Sequence, residues 1–213
     1  HPHFLDAGWA REWVIEPAMA GLGDKLGTLL LQFSPMNPDR IRHEFGGSRG
    51  FAEALYRFLR ALGEGGLAPT RSNAVGVEPA ITVEIRSPEL CTEDYAQALR
   101  HGGASHGYVV HPAMAPLPEQ FERVPPTGHP LLIRWMLAPR TGYQAAKEAW
   151  APFAEMRRPD AVHRKMIADA LNEATSRGVA ATLIVNNKAE GSSPRSIEAV
   201  ARMLSDPDES QHA

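Results

Sequence analysis

The sequence predicts an α/β fold, more narrowly a parallel α/β barrel of which about five strand–helix units are present. Three observations lead there. Strand-like and helix-like stretches alternate from residue 28 to residue 204. Several strand segments carry polar residues on one parity only. Polar residues also gather at the C-terminal ends of those segments. Strands separated by helices pair in parallel through crossover connections. Central strands of an open doubly wound sheet read as nearly continuous apolar runs, whereas barrel strands converge with their C-terminal ends on one polar mouth.

The elements follow in order. Thr28–Phe33 is a compact apolar run of strand length, with Gln32 opposite in parity to Leu31 and Phe33. Phe51, Leu55, Phe58, Leu59 and Leu62 recur at helical spacing and Gly63 marks a stop. Ile81–Arg86 is the next strand: Ile81, Val83 and Ile85 turn to outer helices, leaving Thr82, Glu84 and Arg86 on the other face. Thr92 caps a helix whose first turn holds Glu93 and Asp94, and Gly102-Gly103 ends it. Gly107–His111 and Leu131–Leu137 are further strands.

Asp160 opens a long helix with the stripe Val162, Met166, Ile167, Ala170, Leu171 and Ala174, closed near Gly178. Ala181–Val185 is β-rich, and Ser193-Pro194 supplies an N-cap and first-turn proline for a helix through Leu204. Pro35–Gly50, Glu64–Pro79 and Val124–Pro130 read as connecting loops, so residues 1–204 form one domain and 205–213 a frayed tail.

Composition excludes several classes. The 213 residues carry 22 Lys+Arg against 25 Asp+Glu, a net charge of −3, which gives no electrostatic reason to expect nucleic acid but leaves room for a local basic groove. No apolar run reaches the ~20 residues that span a bilayer. A single cysteine, Cys91, forms no intrachain disulfide and suits a reducing, cytoplasmic compartment. Cys91 is expected to be structural, and Trp9, Trp13 and Trp150 to be packing residues. No G-x-G-x-x-G follows a strand, which argues against a dinucleotide site.

The barrel mouth is the expected site. Glu84 and His111 are the catalytic candidates: a carboxylate acting as base or metal ligand, and an imidazole at a strand end. Arg86 and Arg134 would bind a carboxylate or phosphate, with Gln32 and Asn187 orienting the substrate. Gly191 and Ser193 lie in a loop running into a helix N-terminus, a place where backbone N–H groups hold phosphate in many barrels. A divalent metal held by Glu84, His111 and Glu190 is an alternative use of the same residues. His1 and His3 would sit at the same mouth, although His-x-His alone is a poor metal signature.

Three blocks also carry a resemblance. Leu22–Gly27 running into Leu29–Pro35, then Val83–Pro88, then Asn186-Asn187 with Glu190-Gly191 and Pro194, resemble in the same order the YecE-like family, a domain family of unknown function. The resemblance implies a barrel of the TIM type with three strands ahead of residue 1, so the chain is expected to be a fragment holding the last five units. It departs from the family at Ser192-Ser193, where many relatives have His-Ala or Asn-Ala, and at His111-Pro112, where many have an aspartate.

Two functions are expected from these readings. The first is an enzyme acting on an anionic small molecule or phosphoester. The second is a non-catalytic module that binds nucleic acid or a phosphorylated ligand, an option to which a barrel similarity with endonuclease IV-like proteins contributes.

Overall fold

The structure is a computed structural model that describes residues 2–64, 80–137 and 141–205. In chain order it contains α1 (Ala7–Ala10), a π-helical turn (Arg11–Ile15), α2 (Glu16–Leu22), β1 (Leu29–Phe33), α3 (Pro38–Phe45), α4 (Ser48–Glu64), β2 (Ile81–Ile85), α5 (Glu93–Gly102), β3 (Ala104–Val110), α6 (Leu117–Arg123), β4 (Leu131–Trp135), α7 (Tyr143–Trp150), α8 (Ala161–Ser176), β5 (Ala181–Val185) and α9 (Ser193–Ser205). The strand order is β1-β2-β3-β4-β5, in a parallel α/β sheet. The chain groups into two compact units, His1–Gly107 with Gln120–Pro130, and Tyr108–Glu119 with Leu131–Ala213. Strand β3 contributes residues to both.

In the first unit the registers Leu30↔Thr82, Gln32↔Glu84 and Thr82↔Ser105 put one alternating set of side chains on a common face. The other set meets the helices. Phe51, Leu55, Leu59 and Leu62 of α4 are buried, as are Tyr95 and Leu99 of α5. Burying each leucine contributes roughly 1.5–3 kcal/mol. Helix α5 begins where Thr92 Oγ1 accepts the Tyr95 N–H, and ends at Gly103 in the left-handed conformation. Gly107 sits in a close approach, where a Cβ would lie 3.1 Å from the Thr82 methyl and 3.4 Å from Glu84 Cβ, so a larger residue would require its neighbours to shift.

In the second unit the Met136 N–H donates to the Val110 carbonyl, and β4 pairs with β5 in the register Arg134↔Ile184. Ile133, Trp135, Ile167 and Leu171 form the apolar centre between sheet and helix. Helix α8 starts at Asp160, whose side chain accepts the His163 backbone N–H.

Several expectations change. Strand β3 begins at Ala104, ahead of the expected Gly107, because Ser105 and His106 find buried partners on both faces. Pro35–Gly50 contains α3, capped by Asn37 with Pro38 in its first turn, and is not all loop. Val162 is 62% exposed and outside the buried stripe of α8. Trp13 is 63% exposed: it sits two residues before buried Ile15 and so on the other side of its turn. Ser193 is the first residue of α9 rather than its cap. His1, most of the Glu64–Pro79 stretch and the tail beyond Ser205 lie outside the described residues. Among the described residues, no helix is long and apolar enough to cross a membrane.

Candidate functional site

In the first unit Gln32, Glu84 and Arg86 form one hydrogen-bonded set. Parallel register places Gln32 beside Glu84, and Arg86 follows two residues on, just past the C-terminal end of β2. The Arg86 Nε–H donates to Glu84 Oε1 at 2.8 Å, and its Nη2 donates to Gln32 Oε1 at 3.0 Å. The Glu84 side chain is wholly buried, while that of Arg86 keeps 23% of its exposure. The Arg86 guanidinium is thus held in one orientation at two of its donors. Beneath it Thr82 and Ser105 join hydroxyl to hydroxyl at 2.8 Å.

The other face of the same strands holds a titratable group that the sequence conceals. His106 is buried, with Nδ1 3.0 Å from the Tyr95 hydroxyl, which also donates to the Val83 carbonyl at 3.2 Å. Burial lowers the His106 pKa to about 4, against the smaller opposing effects of its hydrogen bonding to Gln120 and to the Val83 backbone carbonyl. This imidazole is a neutral structural group at physiological pH.

In the second unit Asn187, Gly191 and Ser193 come together. Asn187 Oδ1 accepts the Ser193 N–H at 2.8 Å, and its carbonyl accepts the Gly191 N–H at 2.7 Å. These two amides are therefore engaged within the loop. Gly191 has φ +118°, and a Cβ there would stand 2.6 Å from both Glu155 O and Arg157 N. Its neighbour Glu190 is fully buried. The Glu190 carboxylate accepts Arg164 Nη2 at 2.7 Å and the Asp160 N–H at 2.6 Å, and its backbone carbonyl accepts the N–H groups of Arg157 and Arg158. Lys188 lies over the Tyr143 ring, its Nζ 4.2 Å from the centroid, an attraction between cation and π face.

Arg134 is half-buried on β4 beside Ile184. His111 follows β3, and its Nδ1 accepts the Ala113 N–H at 3.1 Å. His3 stacks on Trp9, with ring centroids 5.2 Å apart. Among the described residues, no three His, Cys, Asp or Glu side chains are arranged to hold a metal ion. Sequence reasoning also misses His163. Its signal is Asp160-x-x-His163, a cap residue with an imidazole three positions on.

Residues 6–213 match the family described as protein of unknown function DUF72. The chain belongs to this family. DUF72 is the YecE-like family whose three motif blocks are identified above, and the match runs over nearly the whole chain. No curated protein and no solved structure matches the chain. Membership of DUF72 therefore brings no reaction with it, and the chemistry rests on the residues.

Proposed function

We propose that this DUF72 protein is an enzyme acting on a phosphate- or carboxylate-bearing substrate. Arg86 would be the anion-binding group at the C-terminal end of a strand in a TIM-type (β/α) barrel. The observation that carries this reading is the double restraint on a partly exposed guanidinium, with Nε held by Glu84 and Nη2 by Gln32. Arginine recognises carboxylate and phosphate through a rigid planar fork, and restraining that fork beforehand lowers the entropy lost on binding.

Glu84 has no exposed side-chain surface, so its part in this reading is to position Arg86, rather than the acid, base or metal-ligand role its sequence position suggests. Gln32 shares that task. The parallel strands with helical connections support the barrel reading, since barrel active sites sit at the C-terminal ends of such strands.

Calorimetric titration of the wild type and Arg86→Met with inorganic phosphate and with succinate tests the site. The expected result is loss of about 2 kcal/mol in the variant, roughly 30-fold in Kd, for at least one anion. Undiminished binding by Arg86→Met overturns the assignment. Turnover of p-nitrophenyl phosphate or another simple ester by the wild type supports the enzyme. Arg86-dependent binding without turnover of any ester makes the chain a binding module instead.

A further inference from the structure

A second site lies in the other unit, independent of Arg86. His111, His163, Val110, Met114, Leu117 and Leu137 line a cavity of about 180 Å³. His111 directly follows β3 and Leu137 comes just after β4, so the cavity lies beyond the C-terminal ends of these strands. Its walls are mainly apolar apart from the two imidazoles.

His163 is held in a defined protonation pattern. Its Nδ1 lies 2.7 Å from Asp160 Oδ2. An ionised carboxylate only accepts, so in the neutral ring the proton is on Nδ1 and the lone pair on Nε2. Asp160 is itself immobilised: Oδ1 accepts the His163 backbone N–H at 3.0 Å, and the Asp160 N–H donates to buried Glu190 at 2.6 Å. Arg164 fixes Glu190 from behind, with Nη2 2.7 Å from one carboxylate oxygen and Nε 3.1 Å from the other. Capping α8 needs only one oxygen of Asp160. The second sets the tautomer of an imidazole that lines a cavity. His111 has the complementary pattern, because its Nδ1 accepts the Ala113 N–H and its proton is then on Nε2.

We propose that this cavity binds a small ring-sized molecule bearing a hydroxyl group, and that His163 is the base that takes the hydroxyl proton. The size follows from comparison, since an apolar cavity of roughly 150 Å³ accommodates benzene. The hydroxyl follows from the acceptor that Asp160 imposes at His163 Nε2. In the transfer the ligand O–H bond breaks and the Nε2–H bond forms. The oxygen keeps the electron pair, and the resulting imidazolium lies against the Asp160 carboxylate, the arrangement that makes a carboxylate-bound histidine an effective base. Asp160 is a positioning residue.

The test uses 4-nitrophenol as the probe, in buffer more acidic than its own pKa, where the free molecule is mostly colourless. The wild type should generate a saturable phenolate absorption band. His163→Gln should lose it while keeping its circular dichroism spectrum. Asp160→Asn should lose it too, because the asparagine amide can donate to Nδ1 and move the imidazole proton to Nε2. Long-range 15N–1H spectra should accordingly show the Nδ1–H tautomer of His163 in the wild type and the Nε2–H tautomer in Asp160→Asn. Absence of a saturable band in the wild type overturns the proposal. So does an undiminished band in His163→Gln, or an Nε2–H tautomer of His163 in the wild type.

Discussion

Tyr95 of α5 and His106 of β3 meet edge to face, their ring centroids 5.6 Å apart and the tyrosine hydroxyl 3.0 Å from the imidazole Nδ1. The contact ties helix to strand through a polar bond inside an apolar layer. Burial disfavours a charge on this imidazole, so the contact is made with the ring neutral.

The pH dependence of stability follows from that contact. The folded-state pKa of His106 is lowered to about 4 from an ordinary 6.5, so the unfolded chain binds the proton more tightly. The stabilising contribution is complete above the unfolded pKa and is lost as pH falls from roughly 6.5 towards 4, by up to about 3 kcal/mol. Urea midpoints measured near neutral pH and in mild acid should fall for the wild type. They should fall less for His106→Gln. Equal acid sensitivity in both proteins would show that His106 does not govern this window.

Gly191 is a position where any side chain conflicts with backbone. An alanine there takes an unfavourable φ and its Cβ meets the carbonyl of Glu155 and the amide of Arg157 at 2.6 Å. Gly191→Ala should cost about 3 kcal/mol or more. Disturbing residue 191 also disturbs Glu190, whose carbonyl accepts two amides. Denaturant unfolding that shows a loss under about 1 kcal/mol would mean that the loop relaxes easily.

Asn187 ties down the start of α9 through Ser193. Asn187→Ala should destabilise the protein by about 1 kcal/mol, and Asn187→Asp should largely restore it, because either side-chain oxygen can accept the amide. Thermal unfolding checks both. Equal losses in the two variants would indicate that Asn187 acts through something other than this bond.

Periodicity and punctuation in the sequence reveal most of the scaffold, for definite reasons. Thr92 and Asp160 announce helix starts because their oxygens cap amides that the helix leaves unsatisfied, and both do so in the structure. Ala181–Val185 is bounded as its β-branched run implies. The alternation in Ile81–Arg86 puts Glu84 and Arg86 on one face, and the register then brings in Gln32.

What stays hidden depends on tertiary partners. Ala104-Ser105-His106 reads as polar and turn-like after two glycines, and its strand form comes from pairing with β2 together with its contacts to Thr82 and Tyr95. Helix α3 is masked by the proline and glycines around it, although Asn37-Pro38 is a sound start signal. The pairing of His163 with Asp160 is local in sequence, yet its value depends on a cavity whose other wall comes from residues 110–117 and Leu137. No single-segment pattern contains that information.

Strand β3 serves both compact units, and α6 also crosses from one to the other. The chain therefore has no natural place to be cut. A truncation after Gly107 would sever a strand between its two sets of neighbours, removing Tyr108–Val110 from one piece and Ala104–Gly107 from the other. Neither half could be expressed alone with strand β3 intact, so Arg86 and His163 are carried together on one uncut chain.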